Sequence, residues 1–331
     1  MRLISFVNAG QERLGAWVDQ DKLIVDLTAA AERGAALPGG SCRDMLSLID
    51  GGPAAWDAVR ALLMRGDGPT IATQHARLIA PLPRPRQFRD FLCFEEHLIN
   101  AFGRAKAMRL AQAANEAERA AIEQSSLFDV PEIWYRAPIY YTASHLCIAG
   151  PDVEVEWPSY SRIMDYELEF AAVIGRTGKN IPRERAAEHI FGFTLFNDLS
   201  ARDEQLRVLE GKLGPGKGKE FDNANVIGPC IVTADEIGTP YVLDMVARIN
   251  GEEVSRGNSS TMHYRFEDAI AYVSRGQTIH AGEMLGSGTV GTGCGLETGR
   301  LLQDGDVIEL EMERIGILRN RIRAAKQEPT A

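Results

Sequence analysis

The sequence predicts an α+β, mostly β fold in two parts: a small N-terminal β domain, residues 1–80, and a larger second domain, residues 81–331. Three observations predict this class. Strand-like runs open the chain, short apolar strands dominate from residue 226 onward, and few segments have helix composition. With 331 residues, 45% of them hydrophobic, the chain can build one large core and a small companion.

The N-terminal part reads as a meander. Residues 2–27 contain three short strands separated by turn residues near 8–10 and 19–21. Mixed helical segments follow to about residue 80. The stretch "PLPRPR" (81–86) predicts the boundary, because prolines favour an extended connector.

The second part mixes helices and strands. Residues 95–124 are rich in Ala, Leu, Glu and Arg and predict a helix, which is equally consistent with a lid over a site and with an ordinary surface helix. Strand and turn patterns cover 134–151, and a helix is expected to begin near Pro182. Short strands follow from 226, with a helix predicted at 265–276.

Composition excludes several classes of function. A net charge of -10 argues against nucleic acid or an anionic membrane as the main partner, and no apolar run is long enough to span a membrane. The five cysteines show no CxxC pair, and the opening residues do not resemble a signal peptide. We therefore expect a cytoplasmic protein, which can still bind a small anionic substrate through a few local cations.

Two glycine-rich stretches suggest nucleotide loops, and neither has the required context. In "GKLGPGKGK" (211–219), Gly218 stands where a phosphate-binding loop needs Ser or Thr for magnesium. "GSGTVG" (286–291) matches GxGxxG, but a poor helix follows it. The sequence therefore predicts no nucleotide site.

The carboxylates are more informative. In "MDYELEFAAVIG" (164–175), Glu167 and Glu169 point to the same face of a predicted strand; alone, this pattern favours a half-solvated antiparallel strand. Asp198 follows an apolar run, and alone it favours a turn cap with Ser200. Together, the three carboxylates suit a hard divalent cation, which would let both neighbouring glutamates remain ionised.

Several motifs together carry a resemblance to a known family. "DYELEFAAVIG", "GFTLFNDLSARDEQ", "GKGKEFD", "GPCIVTADEI" and "GSGTVGTG" occur in this order between about residues 85 and 320. In these motifs the chain resembles the fumarylacetoacetate hydrolase family. The resemblance implies that residues 81–331 form the catalytic domain, a mixed β-sandwich roll behind the small N-terminal β domain. It also implies a homodimer.

The resemblance also assigns metal ligands. The family's E-x-E strand and N-D-x-S-A-R-D loop correspond to Glu167, Glu169 and Asp198, and Asp90 lies seven residues before His97, as in the fumarylacetoacetate hydrolases proper. These four carboxylates are expected to hold one divalent cation, Mg²⁺ first, with Mn²⁺ or Ca²⁺ as alternatives.

The remaining site residues follow from the same resemblance. A lone histidine at a helix start is more often a surface residue, but the family pattern makes His97 the catalytic base, with Glu297 as its partner and Lys219 as a stabiliser of the oxyanion. Four further positions match substrate-binding residues: Arg202, Gln205, Tyr141 and Thr289.

The sequence departs from the family at three positions. Two tyrosines that would line the pocket are Leu92 and Leu209, and Asn100 stands where the smaller-substrate members carry a lid glutamate. These departures leave the substrate open.

The function implied is a metal-dependent hydrolase, which cleaves a carbon–carbon bond in a 1,3-diketo acid of the fumarylacetoacetate, fumarylpyruvate or acylpyruvate type in aromatic-compound catabolism. The alternative is a decarboxylase, tautomerase (isomerase) or hydratase that acts on a related 2-keto or 2-hydroxydienoic acid. A non-catalytic β protein with a closed metal shell is the alternative from another class.

Overall fold

The computed structural model describes residues 1–325; residues 326–331 of the predicted catalytic domain lie outside the described part. The strands, in chain order, are β1 (Arg2–Asn8), β2 (Gln11–Val18), β3 (Leu23–Asp26), β4 (Thr70–Ala72), β5 (Arg77–Ile79), β6 (Phe88–Phe91), β7 (Tyr140–Ala143), β8 (Ile148–Ala149), β9 (Glu154–Trp157), β10 (Met164–Asp165), β11 (Leu168–Ile174), β12 (Gly178–Lys179), β13 (Ile190–Asp198), β14 (Ser200–Ala201), β15 (Asn225–Thr233), β16 (Asp244–Ile249), β17 (Glu252–Asn258), β18 (Thr278–Ile279), β19 (Met284–Gly286), β20 (Val307–Met312) and β21 (Gly316–Ala324).

Helices are fewer and mostly short, which confirms the predicted α+β, mostly β class. The α-helices are α1 (Leu27–Glu32), α2 (Met45–Asp50), α3 (Gly52–Arg65), α4 (Glu95–Gln112), α5 (Glu116–Glu123), α6 (Arg183–Ala186), α7 (Arg202–Leu209), α8 (Ala234–Ile237), α9 (Phe266–Val273) and α10 (Gly295–Thr298). Single 3₁₀ turns lie at Thr73–His75, Ser126–Phe128, Glu132–Tyr135, Ala187–His189, Gly216–Gly218 and Ser259–Thr261. Among residues 1–325, we find no helix with the length and apolar character needed to cross a membrane.

A large sheet organises the molecule. Its strands run in the order β4-β3-β2-β1-β15-β13-β11-β19-β6-β7, with β5 added beside β1 and β8 beside β15. A second sheet has the order β17-β16-β20-β21-β9, and two small pairs are β10-β14 and β12-β18. Most pairings are antiparallel, but β19 and β6 are parallel neighbours.

The N-terminal strands form the predicted meander and also extend the large sheet. β1 pairs with β2 on one side and with β15 on the other, so that the sheet runs through the boundary predicted at residue 81. The N-terminal ammonium of Met1 donates to Thr233 Oγ1 at 2.6 Å, which ties the start of the chain to the end of β15. The division into two domains stays a prediction.

Both faces of the large sheet are covered, which explains why the side chains on both faces of its central strands are buried. Along β11, Leu168 and Phe170 pack into a core shared with the second sheet and α9, whereas Ala171 and Val173 pack toward the helices α2 and α3. The rings of Phe170 and Phe266 meet edge to face at 5.1 Å. Every residue of β11 is buried.

The predicted helix over 95–124 forms as two helices, α4 and α5. The break comes at Asn115, whose side chain accepts a hydrogen bond from Glu118 N at 2.9 Å and so caps a new helix. The sequence pattern missed this break because its helix-forming residues continue on both sides. The helices predicted near Pro182 and at 265–276 form as α6 and α9.

Candidate active site

Three carboxylates meet at one end of the central strands of the large sheet. Asp90 lies on β6, Glu169 on β11, and Asp198 is the last residue of β13. One carboxylate oxygen of each lies within 4.8 Å of those of the other two. Because the side chains are 4%, 0% and 0% exposed, these three residues form a closed group, the carboxylate cluster. Its burial shows that the half-solvated strand favoured by the local pattern is wrong for Glu169.

Strand β19 lies between β11 and β6 and makes room for this cluster. Gly286 of β19 is paired with Asp90 on one side and Ala171 on the other. A Cβ atom at Gly286 would overlap Asp90 Oδ1. The next residues orient the carboxylates: Gly288 N donates to Asp90 Oδ1 at 3.3 Å, and Thr289 Oγ1 donates to Glu169 Oε1 at 3.3 Å. The "GSGT" glycines therefore serve a carboxylate site, a role that sequence reasoning missed.

We expect Gly286→Ala to weaken metal binding by about 10–100-fold, the range seen when a partner that orients a metal ligand is altered. The added methyl group would push the Asp90 carboxylate out of the cluster. Calorimetric titration with Mg²⁺ or Mn²⁺ measures the effect. The matched control is Gly103→Ala on α4, where a Cβ meets no atom within 4 Å. Equal affinities in the two variants would contradict this role of Gly286.

Burial makes the cluster electrostatically strained. It raises the pKa of Asp90 well above its ordinary value, and the charge of Asp198 raises it further. Burial likewise raises the pKa of Glu169, with Asp90 adding to the effect. Burial raises the pKa of Asp198 to about 6, although Lys219 opposes the shift. A cation among these oxygens would remove the repulsion that causes these shifts.

Glu167 lies beside the cluster and is engaged by two cations. Lys219 Nζ lies 2.5 Å from Glu167 Oε2 and 2.5 Å from Asp198 Oδ2. Arg202 Nη2 donates to Glu167 Oε1 at 2.7 Å. Burial alone would raise the pKa of Glu167, but the charges of Lys219 and Arg202 outweigh it and hold that pKa well below its ordinary value. The structure thus brings Asp90, Glu169 and Asp198 together and gives both Glu167 oxygens other partners; its role as a metal ligand stays a prediction.

The donor set fits a divalent cation. Glu169 Oε2 and Asp198 Oδ1 are buried and have no hydrogen-bond partner among residues 1–325, which is unfavourable unless a ligand takes them. Five buried carboxyl groups face two buried cationic side chains here: Asp90, Asp165, Glu167, Glu169 and Asp198 against Lys219 and Arg202. All-oxygen coordination suits hard cations such as Mg²⁺, Mn²⁺ and Ca²⁺.

A histidine–glutamate pair forms a second group, which we call the dyad. His97, in the first turn of α4, places Nδ1 2.7 Å from Glu297 Oε1 of α10. The other oxygen of Glu297 accepts from Asn100 Nδ2 at 3.0 Å and from Thr292 N at 2.9 Å. Asn100, noted above as a departure from the family's lid, thus holds the partner of the histidine. Both side chains are buried, at 10% and 1% exposure.

Asp165 is a positioning residue that sequence reasoning missed. It is completely buried, and its Oδ2 accepts from Arg202 Nε at 2.8 Å and from Leu296 N at 2.9 Å. Its Oδ1 accepts from Gly295 N at 2.6 Å. The same carboxylate therefore fixes Arg202 and the start of the short helix that carries Glu297. The one signal in the sequence is its place at the head of the acidic run "DYELE".

We expect Asp165→Asn to lower the free energy of unfolding by about 3–5 kcal/mol, because breaking a buried ion pair leaves Arg202 with less compensation. Urea unfolding measures this change. A matched control is Glu253→Gln, which removes an exposed ion pair with Arg256 and should leave the free energy of unfolding nearly unchanged. A loss in Asp165→Asn no larger than in the control would show that the charge of Asp165 is not needed.

The predicted substrate-binding residues lie around the same centre. Tyr141 OH donates to Asp198 Oδ2 at 2.8 Å, and Gln205 Oε1 accepts from Arg202 Nη1 at 2.9 Å. A cleft of about 390 Å³ opens onto Tyr141 and Lys219 and is also lined by Gln87 and His145. Thr289 contacts Glu169, as described above. Their contacts with substrate stay predictions.

Comparisons with known proteins identify the family of the chain. Residues 102–323 match the family model "Fumarylacetoacetate (FAA) hydrolase C-terminal". Two curated relatives are the human mitochondrial oxaloacetate tautomerase FAHD2A, 38% identical over 188 residues, and the Bacillus subtilis oxaloacetate tautomerase YisK, 35% identical over 204 residues. These alignments cover 56% and 61% of this chain, and the chain spans only 59% and 65% of the length of the two relatives.

A solved structure extends the likeness to the whole chain. The fumarylacetoacetate hydrolase of psychrophilic Exiguobacterium antarcticum superposes with a TM-score of 0.71 and 27% identity, over 98% of this chain and 99% of the other. Together with the family model, which covers more than half of the chain, this likeness confirms the predicted family and its fold. The chain belongs to the fumarylacetoacetate hydrolase family.

Proposed function

We propose that this protein is a divalent-cation-dependent tautomerase, which interconverts the keto and enol forms of an oxaloacetate-like 2-oxo acid. The observation that carries the proposal is a buried carboxylate cluster with two oxygens unpartnered within residues 1–325, together with a histidine–glutamate dyad. Glu167 connects the two groups, because Lys219 joins it to Asp198 and a β-bridge joins it to Cys294 at the start of the helix of Glu297. The names of the two curated relatives support tautomerisation over hydrolysis. It is the alternative that the sequence left open, and the family resemblance alone favoured the hydrolase.

Asp90, Glu169 and Asp198 would hold the cation, with Glu167 as a fourth ligand only if it releases Lys219 or Arg202. We infer Mg²⁺ as the first candidate, with Mn²⁺ and Ca²⁺ as alternatives. When bound, such a cation polarises the oxo group of a substrate and so makes the neighbouring C–H more acidic.

His97 would move the proton. Because Nδ1–H donates to the Glu297 carboxylate, the lone pair of the neutral ring lies on Nε2, which can accept a proton from the carbon next to the oxo group. Glu297 stabilises the imidazolium that forms, and Asn100 and Thr292 hold Glu297 in place. Returning the proton to oxygen in place of carbon completes the tautomerisation.

Lys219 would stabilise negative charge on the substrate. Its ammonium is 4% exposed, and although burial disfavours the charge, Asp198 and Glu167 outweigh it and raise the pKa of Lys219. It therefore stays charged at neutral pH and lies on the cleft that leads from solvent. This local cation explains how a protein of net charge -10 can accept an acid.

Hydrolysis of a 1,3-diketo acid is the second candidate, and one observation favours it. A histidine oriented at 2.7 Å by a buried glutamate is the arrangement that general-base activation of water requires. The predicted place in aromatic-compound catabolism belongs to this candidate. Both reactions use the same residues and differ in whether a carbon–carbon bond breaks.

The test follows loss of enol absorbance for oxaloacetate and a panel of 1,3-diketo acids, with Mg²⁺ or Mn²⁺ and with EDTA, each corrected for the rate in buffer. Product analysis accompanies each assay. Metal-dependent ketonisation of oxaloacetate with no new acid supports the tautomerase. Cleavage of a diketo acid into two acids, with oxaloacetate untouched, would replace it by the hydrolase.

We also propose that the protein acts as a cytoplasmic homodimer without a nucleic-acid or membrane partner, as the sequence predicts. The human relative is named mitochondrial, and the proposed cytoplasmic location differs from that name. Light scattering after size-exclusion chromatography tests the dimer, for which one chain has a mass of 36.3 kDa.

A further inference from the structure

We propose that His97, Glu297 and Cys294 form a second metal site, which binds a thiophilic divalent ion such as Zn²⁺ and inactivates the dyad. One nitrogen, one oxygen and one sulfur ligand atom of these residues lie within 4.8 Å of one another. Cys294 Sγ lies 3.3 Å from Glu297 Oε1, the same oxygen that meets His97 Nδ1. Cys294 has no role in the proposed reaction, which therefore does not explain why a thiol lies beside the dyad.

The three donors suit a softer ion than the carboxylate cluster does. Zinc is bound by cysteine sulfur at about 2.3 Å and by histidine nitrogen or carboxylate oxygen at about 2.0–2.2 Å, usually in a tetrahedron. Mg²⁺ prefers oxygen ligands and would bind the cluster instead. The molecule thus offers two centres of different softness, and the sulfur atom determines which ions bind at the second.

The fold brings these donors together from two elements. Cys294 is held by a β-bridge to Glu167 and caps α10, the helix that carries Glu297. His97 comes from α4, which lies on the other side of the contact between α4 and α10. The site is 0% exposed at Cys294 and 8% exposed at His97, so that a metal would enter when the first turn of α4 separates from α10. A bound ion would then connect the two helices.

The inhibitory consequence rests on the proposed function. On binding, the thiol of Cys294 loses its proton to solvent and the metal takes Nδ1 of His97, whose proton moves to Nε2. An imidazole that carries its proton on Nε2 can no longer accept one from substrate. Zinc would therefore abolish turnover without displacing the cation in the cluster.

The other cysteines give no comparable site. Within residues 1–325, the two groups of three His, Cys, Asp or Glu ligands at this spacing are this one and the carboxylate cluster. A thiolate–metal signal can therefore be assigned to Cys294 by substitution. Cys147 is the partly exposed cysteine and provides the matched control.

The experiment titrates Co²⁺ into the full chain saturated with Mg²⁺ and records the thiolate-to-cobalt charge-transfer absorbance. We expect the band in the unaltered protein and in Cys147→Ser, and its loss in Cys294→Ser. Competition by Zn²⁺ should remove the band. His97→Ala removes the nitrogen ligand and leaves the thiol of Cys294 in place, so that the band should be weaker.

A second arm measures inhibition by Zn²⁺ at fixed Mg²⁺, with each variant compared with its own uninhibited rate. Strong inhibition that is relieved in Cys294→Ser supports the site. If the band forms without inhibition, the second metal site is supported and His97 is not the base of the reaction. This outcome distinguishes failure of the proposed function from failure of the metal site. No band in the unaltered protein, or an equal band in folded Cys294→Ser or Cys294→Ala, overturns the inference.

Discussion

Glu169→Ala is expected to lose metal binding and turnover together. Glu169 is 0% exposed and supplies one of the three oxygens that meet in the carboxylate cluster, and its Oε2 has no hydrogen-bond partner in the part of the chain that the structure describes. Its removal takes away one of the three carboxylate ligands and one of their negative charges, and the affinity of an all-oxygen site depends on both. Calorimetric titration and enol turnover measure the two losses in the same preparation.

Glu169→Gln tests whether metal binding needs the charge of the side chain or only its shape. The amide keeps the volume of the side chain, so that the fold should persist while the metal is lost. Metal at about 100 times its dissociation constant stabilises a binding protein by about 2.7 kcal/mol, and this gain should be absent from the variant. Retained metal binding in Glu169→Gln would remove Glu169 from the ligand set.

Without metal, the difference in stability to unfolding between Glu169→Gln and the unaltered protein should have the opposite sign. Because burial and Asp90 raise the pKa of Glu169 in the folded state, its contribution to stability is full at low pH and is lost as the pH rises toward that raised pKa. Glutamine has no such titration. Metal-free Glu169→Gln should therefore be at least as stable at pH 7 as the metal-free parent, which chemical unfolding in EDTA can measure.

His97→Ala is expected to keep the metal and lower turnover by about 10²–10⁴-fold, the usual contribution of a well-placed general base. Within residues 1–325, His97 is hydrogen-bonded to Glu297 and belongs to a different group of ligands from the three carboxylates of the cluster. The control is His75→Ala, which alters an exposed histidine of the N-terminal part. Near-full activity of His97→Ala with metal bound would show that another group moves the proton.

Much of the site was predictable because local patterns report it. The alternation of side chains in "ELEFAAVI" predicted the face of the strand on which Glu169 lies. The apolar run before Asp198 predicted where its strand ends. The pairing of His97 with Glu297, 200 residues away, came from the family resemblance, since no local pattern contains it.

What the sequence could not give depends on packing between distant segments. The ion pairs of Glu167 with Lys219 and Arg202 depend on how segments far apart in the chain pack together, and so do the hydrogen bonds of Asp165 to the start of α10. Gly286 reads as part of a nucleotide motif until its neighbour across the strand is known to be Asp90. The reaction itself is equally hidden, because tautomerase and hydrolase would use the same carboxylates and the same dyad.

The parallel pairing of β19 with β6 has a kinetic consequence. Gly288 and Asp90 are 198 positions apart, so that the cluster exists only after one of the longest loops in the chain has closed. Contacts of such long range form slowly, and a metal that needs them cannot guide the early steps of folding. The cation should therefore leave the refolding rate nearly unchanged and act by slowing the unfolding of the finished protein.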